Sequence, residues 1–84
     1  MTTTAPTPVA LSTLRSGAIA RFHEARLDAD SCRLLRALGL VASSELRLCK
    51  SGEPCIIQVR ATRLGLSKRV AAGIFVIPRA EDAA

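Results

Sequence analysis

Two glycines and a β-branched run near the C-terminal end limit what this chain can fold into more than any other feature. The stretch RLGLSKRVAAGIFV, residues 63–76, spaces Leu64, Val70, Ala71 and Ile74 as one long helix would need them. Such a helix would carry Gly65 and Gly73 inside it, at about 1 kcal/mol each relative to alanine, and would run into Ile74, Val76 and Ile77. The pattern therefore predicts three pieces. Leu64 and Leu66 point one way from a short strand, Ser67 caps a single helical turn over residues 68–72, and IFVIP forms a last strand ended by Pro78.

The rest of the chain divides in the same way. After Gly17, AIARFHEARL reads as a first strand with imperfect alternation. In DADSCRLLRALGL the period changes: Leu34, Leu35 and Leu38 fall at helical spacing, Asp28 or Asp30 is placed to cap, and Gly39 to terminate. A short helix over residues 31–38 is expected. ELRLCK alternates cleanly, KSGEP is turn chemistry, and CIIQVRA resumes the β pattern, so residues 45–61 make a hairpin. About five short strands, one inserted helix and a one-turn helix before the last strand make a mainly β domain. A sheet this small hides its edges by curling, which points to an SH3-like barrel over residues 10–78. Residues 1–9, rich in Thr and Pro, read as a disordered leader, and residues 79–84 as a flexible tail.

Composition narrows the function. The only aromatic residues among 84 are Phe22 and Phe75, so Leu, Val, Ile, Ala and Cys must fill the core. Without aromatics there is no platform for stacking bases, which argues against single-stranded nucleic acid as a ligand. The charge balance is basic: 12 Lys and Arg face 7 Asp and Glu, and Glu81 and Asp82 fall in the expected tail, leaving 12 − 5 = +7 on residues 10–80. Such a body attracts nucleic acid, anionic lipid or an acidic protein. The opening MTTTAPTPVA lacks the basic and apolar regions of a secretion signal, and no run approaches the ~20 apolar residues that span a bilayer. A cytoplasmic protein without membrane insertion is expected.

Candidate chemistry is sparse. There is no Gly-rich phosphate loop and no nucleophile motif, so neither catalysis nor a cofactor is expected. His23, the one histidine, adjoins Glu24, but neighbours on a strand point to opposite faces. Cys32, Cys49, Cys55 and His23 add up to the ligand set of a Cys3His zinc site. None of the cysteines has the short partner spacing of structural zinc motifs, and an odd number without pairing reads as reduced thiols rather than a disulfide framework. Cys49 and Cys55 flank the hairpin turn, where they would face each other. Arg33, Arg36, Lys68 and Arg69 are either a solvated face or a docking patch for an acidic partner. Leu40 and Val41, straight after the helix, are either an apolar anchor beside that patch or core.

The run from Leu11 through LSTLRSG, the RLLRALGL helix, the SGEPCIIQV hairpin and the ending LGLSKRVAAGIFV resembles the FeoA family. In that ending Leu64, Leu66, Ala71, Ile74 and Val76 match the family's Leu-x-Leu-(x)4-Ala-x-x-Ile-x-Val signature, which is apolar and describes a core. The chain departs from the family at Leu34 and Ser67, where arginine is common, and at Ala42 and Ser43, where Pro-Gly is common. The resemblance implies an SH3-like barrel that binds or regulates FeoB, a membrane ferrous iron transporter with a cytoplasmic GTPase domain. The same barrel ends the iron-dependent repressors, so a nucleic-acid-associated or metal-dependent regulator module is the alternative. An uncovered strand edge would also permit a homo-oligomer.

Overall fold

The computed structural model describes residues 7–79. Six strands form one antiparallel sheet: β1 (Val9–Ala10), β2 (Ile19–Ala25), β3 (Glu45–Lys50), β4 (Cys55–Val59), β5 (Thr62–Leu66) and β6 (Ile74–Pro78), in the order β1-β6-β2-β3-β4-β5. A 3-10 turn (Leu11–Thr13) follows β1, helix α1 (Ala29–Ala37) joins β2 to β3, and helix α2 (Lys68–Ala72) joins β5 to β6.

Alternation builds the core. Leu46 and Leu48 of β3, Cys55, Ile57 and Val59 of β4, Leu64 and Leu66 of β5, and Ile74 and Val76 of β6 are buried, while the residues between them face outward. The register aligns these inward residues across strands: Leu48 opposes Ile57, which opposes Leu64, and Leu46 opposes Val59. Each fully buried Leu or Ile contributes roughly 1.5–3 kcal/mol relative to its exposed state.

The sheet curls into a barrel-like shape without closing, because β1 and β5 are its two ends. Helix α2 lies against the 3-10 turn, β5 and β6, and brings buried Ala71 toward buried Leu11 in that seam. Ser67 caps α2 as expected, its Oγ accepting the Val70 N–H at 3.1 Å, and Glu53 Oε1 accepts the Lys68 N–H at 2.8 Å.

Several expectations are corrected at the margins. Val9, expected in the leader, instead pairs with Val76 in a sixth strand along the free edge of β6. Residues 1–6 of that leader lie outside the described residues. Arg79, placed in the tail, donates its N–H to Ile19 O at 2.9 Å and its guanidinium to Glu45 at 3.1 Å. Residues 80–84 lie outside the described residues.

Helix α1 begins two residues earlier than expected, with Asp28 as the cap: its Oδ2 accepts the Ser31 N–H at 3.1 Å, and the Ser31 hydroxyl donates to Oδ1 at 2.7 Å. Its end is a Schellman turn. Gly39, at φ 103°, donates to Arg36 O at 3.1 Å, and Leu40 N–H reaches Leu35 O at 3.0 Å.

Candidate interaction surface

Helix α1 turns one leucine inward and two outward. With 3.6 residues per turn, Leu34 and Leu35 lie about 100° apart, so one can face the core while the other faces solvent. The Schellman turn settles which one goes in, because it places Leu40 against Leu35, and both are buried. Leu34 is left 60% exposed and Leu38 39%, four residues apart on one side of the helix. Val41, just beyond the turn, is 42% exposed. These three are the large exposed hydrophobic residues among those described.

Leu40 is therefore no docking anchor. It is 2% exposed and belongs to the core, and Val41 takes the exposed position next to it. Arg33 and Arg36 flank the leucines on α1, both exposed; Arg33 pairs with Asp30 at 3.4 Å, and Arg36 lies in the last turn. Lys68 and Arg69 belong to α2, and no ion pair or side-chain hydrogen bond joins the two helices among the described residues. What connects them is a backbone contact. The Arg26 N–H donates to Gly73 O at 2.7 Å, tying the end of α2 to the segment that leads into α1.

The four metal-ligand candidates are dispersed. Cys32 directs its thiol at the Ala25 and Leu27 carbonyls, 3.7 and 3.5 Å away. Cys55 points into the core, where burial pushes its thiol pKa up. Cys49 lies at the β3 bulge between Leu48 and Lys50 and directs its thiol toward Arg47 O at 3.9 Å, so it does not face Cys55 across the turn. His23 is exposed at the bulge of β2 opposite β6. Among the described residues no three His, Cys, Asp or Glu side chains converge as a metal would require. The one other perturbed group is Asp28, whose carboxyl is held below its ordinary value by the two hydrogen bonds from Ser31.

Exposed Leu34 and Leu38 at α1, with Arg33 and Arg36 beside them, are the main apolar feature of this surface. Comparison with known proteins places the domain in a family. The model of the FeoA domain matches residues 9–78. The chain belongs to the FeoA family.

Solved structures agree. The FeoA of Stenotrophomonas maltophilia, solved with zinc and described as a prokaryotic SH3 domain protein, is 30% identical, with a TM-score of 0.69 over 90% of this chain and 93% of its own. The FeoA of Chlorobium tepidum is 26% identical, with a TM-score of 0.82 over 90% of this chain and 75% of its own. A manganese-dependent transcriptional repressor shares the fold at 18% identity and a TM-score of 0.80, this chain covering 44% of its length. No curated protein matches the sequence. The mainly β, SH3-like architecture read from the alternation is thus the architecture of the family.

Proposed function

We propose that this FeoA chain is a non-enzymatic accessory protein of ferrous iron uptake. It works in the cytoplasm by binding the GTPase-containing part of a FeoB-type membrane transporter through the face of α1 that carries Leu34 and Leu38, with Val41 just beyond its C-terminal turn. Family membership over residues 9–78 carries the iron-uptake part of this reading, and the S. maltophilia relative is described as a candidate activating factor for bacterial ferrous iron transport. The exposed leucines carry the contact. Full burial of such a side chain is worth about 1.5–3 kcal/mol, of which these half-exposed residues leave a part for a partner's surface to recover, and clustered ones mark interaction sites. Arg33 and Arg36 at the rim would add association rate and orientation more than affinity.

No helix is long and apolar enough to cross a membrane among the described residues, in keeping with a partner that reaches the bilayer through its own spans. The likeness to the manganese-dependent repressor is one of fold alone and adds no support for the regulator alternative. The test is a calorimetric titration of this chain into the isolated cytoplasmic region of the transporter, with and without guanine nucleotide. Saturable one-to-one binding is the expected result. Absence of heat and of any mobility change at high micromolar concentration would refute the reading.

A further inference from the structure

The outward face of the sheet carries a second feature that the partner reading leaves unused. Arg21 on β2, Arg47 on β3 and Arg63 on β5 all occupy outward positions, each beside a buried residue that faces the core. The register places them in one array. Arg47 opposes Gln58, which opposes Arg63, while Arg21 opposes Glu45, two residues along β3 from Arg47. Strand spacing sets Arg47 and Arg63 roughly 10 Å apart across β4, and the diagonal sets Arg21 roughly 7–8 Å from Arg47.

None of the three has an ion-pair or side-chain hydrogen-bond partner among the described residues. The carboxylate on this part of the face, Glu45, is held by Arg79 at 3.1 Å. Three unneutralised guanidinium groups thus project from one surface.

We infer that this sheet face binds the phosphate groups of an anionic lipid surface. The chemistry around the arginines selects that ligand over the other polyanions. A stable protein interface needs an apolar centre from which water is excluded, with charge at its rim. Here the centre is charged, and the large exposed hydrophobic residues, Leu34, Leu38 and Val41, belong to the α1 region. Single-stranded nucleic acid needs stacking side chains, and both phenylalanines are only partly exposed, with Phe75 already under the Arg26 guanidinium at 5.0 Å. Gln58 lies between Arg47 and Arg63, and beside them, one pair further along β4 and β5, are half-buried Ile56 and Gly65, whose missing side chain leaves open space. A low, positively charged sheet face, with half-buried Ile19 opposite Arg47 and half-buried Ile77 opposite Arg21, matches a broad anionic surface rather than a groove. Each arginine at such a surface strengthens binding about fivefold, so three act on the order of 100-fold together.

The test is co-sedimentation of the full chain with vesicles of mixed phosphatidylcholine and phosphatidylglycerol, against phosphatidylcholine alone, at low and physiological salt. Two triple variants of equal net charge are compared: Arg21→Gln, Arg47→Gln, Arg63→Gln on the sheet, and Arg33→Gln, Arg36→Gln, Arg69→Gln on the helices. Binding only to the anionic vesicles is expected, weakened by salt and reduced on the order of 100-fold in the sheet variant but little in the helix variant. The single Arg47→Gln should lose about fivefold, which guards against a folding defect in the triple variant. Equal loss in both triple variants, equal binding to phosphatidylcholine, or no binding to either vesicle would overturn the inference. So would tighter binding to a short DNA duplex at the same salt, which would give the face to nucleic acid.

Discussion

Gly73 is where the packing of the barrel and the placement of α1 meet, and Gly73→Ala tests both. A Cβ built there would lie 2.5 Å from Leu27 Cδ2, 3.2 Å from Leu27 Cγ and 3.1 Å from the Arg26 carbonyl oxygen. The backbone conformation is not the obstacle, since φ is −94° and alanine adopts it freely. On that ground alone the substitution would stabilise the fold by about 0.4–1 kcal/mol through the unfolded state. The clash opposes this. Leu27 can turn aside, but the Arg26 carbonyl is fixed by its own residue's N–H, which reaches Gly73 O at 2.7 Å. Overpacking of this kind costs about 1–3 kcal/mol, so a net destabilisation on the order of 1–2 kcal/mol is expected.

Urea unfolding of Gly73→Ala beside Gly65→Ala would measure it. Gly65 meets nothing within 4 Å, and alanine there should leave stability unchanged or slightly higher. For a domain of this size each kcal/mol corresponds to roughly 4–8 °C in Tm. Wild-type stability in Gly73→Ala, or a larger loss in Gly65→Ala, would refute the packing argument.

Other consequences are as direct. Removing the inward leucine of α1, Leu35→Ala, should cost about 2–5 kcal/mol, while Leu34→Ala, one residue away, should cost well under 1 kcal/mol by the same unfolding assay. The Asp28 carboxyl titrates below its ordinary value of 3.8, so its stabilisation of α1 is complete above that pH and is lost as the pH falls through the folded value. Asp28→Asn should flatten the acid limb of a stability profile followed by circular dichroism. Cys55 has the opposite sign: its thiol is raised above 9.0, so its contribution is complete below that pH and fades as the pH rises, because the unfolded thiol ionises first. Under native conditions a disulfide reagent should modify Cys32 and Cys49 well before Cys55.

Much of the fold can be read from local pattern. The alternation in ELRLCK and CIIQV, the Ser67 cap and the interruption at Gly73 each appear in the structure as strand, cap and boundary, because all are decided within a few residues. What escapes such reading is decided by distant pairing. Val9 and Ala10 carry no alternation of their own and become a strand only because β6 offers them an edge. The bulge that takes Cys49 out of register with Cys55 arises from the pairing of β3 with β4, which neither strand announces alone.

The surface was legible in outline. Arg33 and Arg36 fall on the exposed side of α1, where their spacing put them. Helical spacing groups Leu34, Leu35 and Leu38 without saying which faces the core; Leu34 and Leu38 are the exposed pair, and Leu40, read as either anchor or core, is buried. The signal for that arrangement is present in RLLRALGL: glycine at position 39 permits a Schellman turn, whose hydrophobic contact joins Leu35 to Leu40 and leaves Leu34 and Leu38 on the other side. The arginine array of the sheet had no such signal, since Arg21, Arg47 and Arg63 come together only through the register of four strands.

The central claim is that the exposed face of α1 is the contact for the transporter. Its most direct measurement is a side-by-side titration of wild type, Leu34→Asp with Leu38→Asp, and Lys68→Glu with Arg69→Glu into the transporter's cytoplasmic region, after unfolding curves have shown all three proteins to be folded. The account predicts saturable binding by the wild type, a loss of at least about tenfold for the leucine variant, as expected when buried apolar anchors are removed, and a smaller, salt-sensitive change for the α2 variant. Undiminished binding by the leucine variant would contradict the placement of the contact, and failure of the wild type to bind would contradict the accessory role itself.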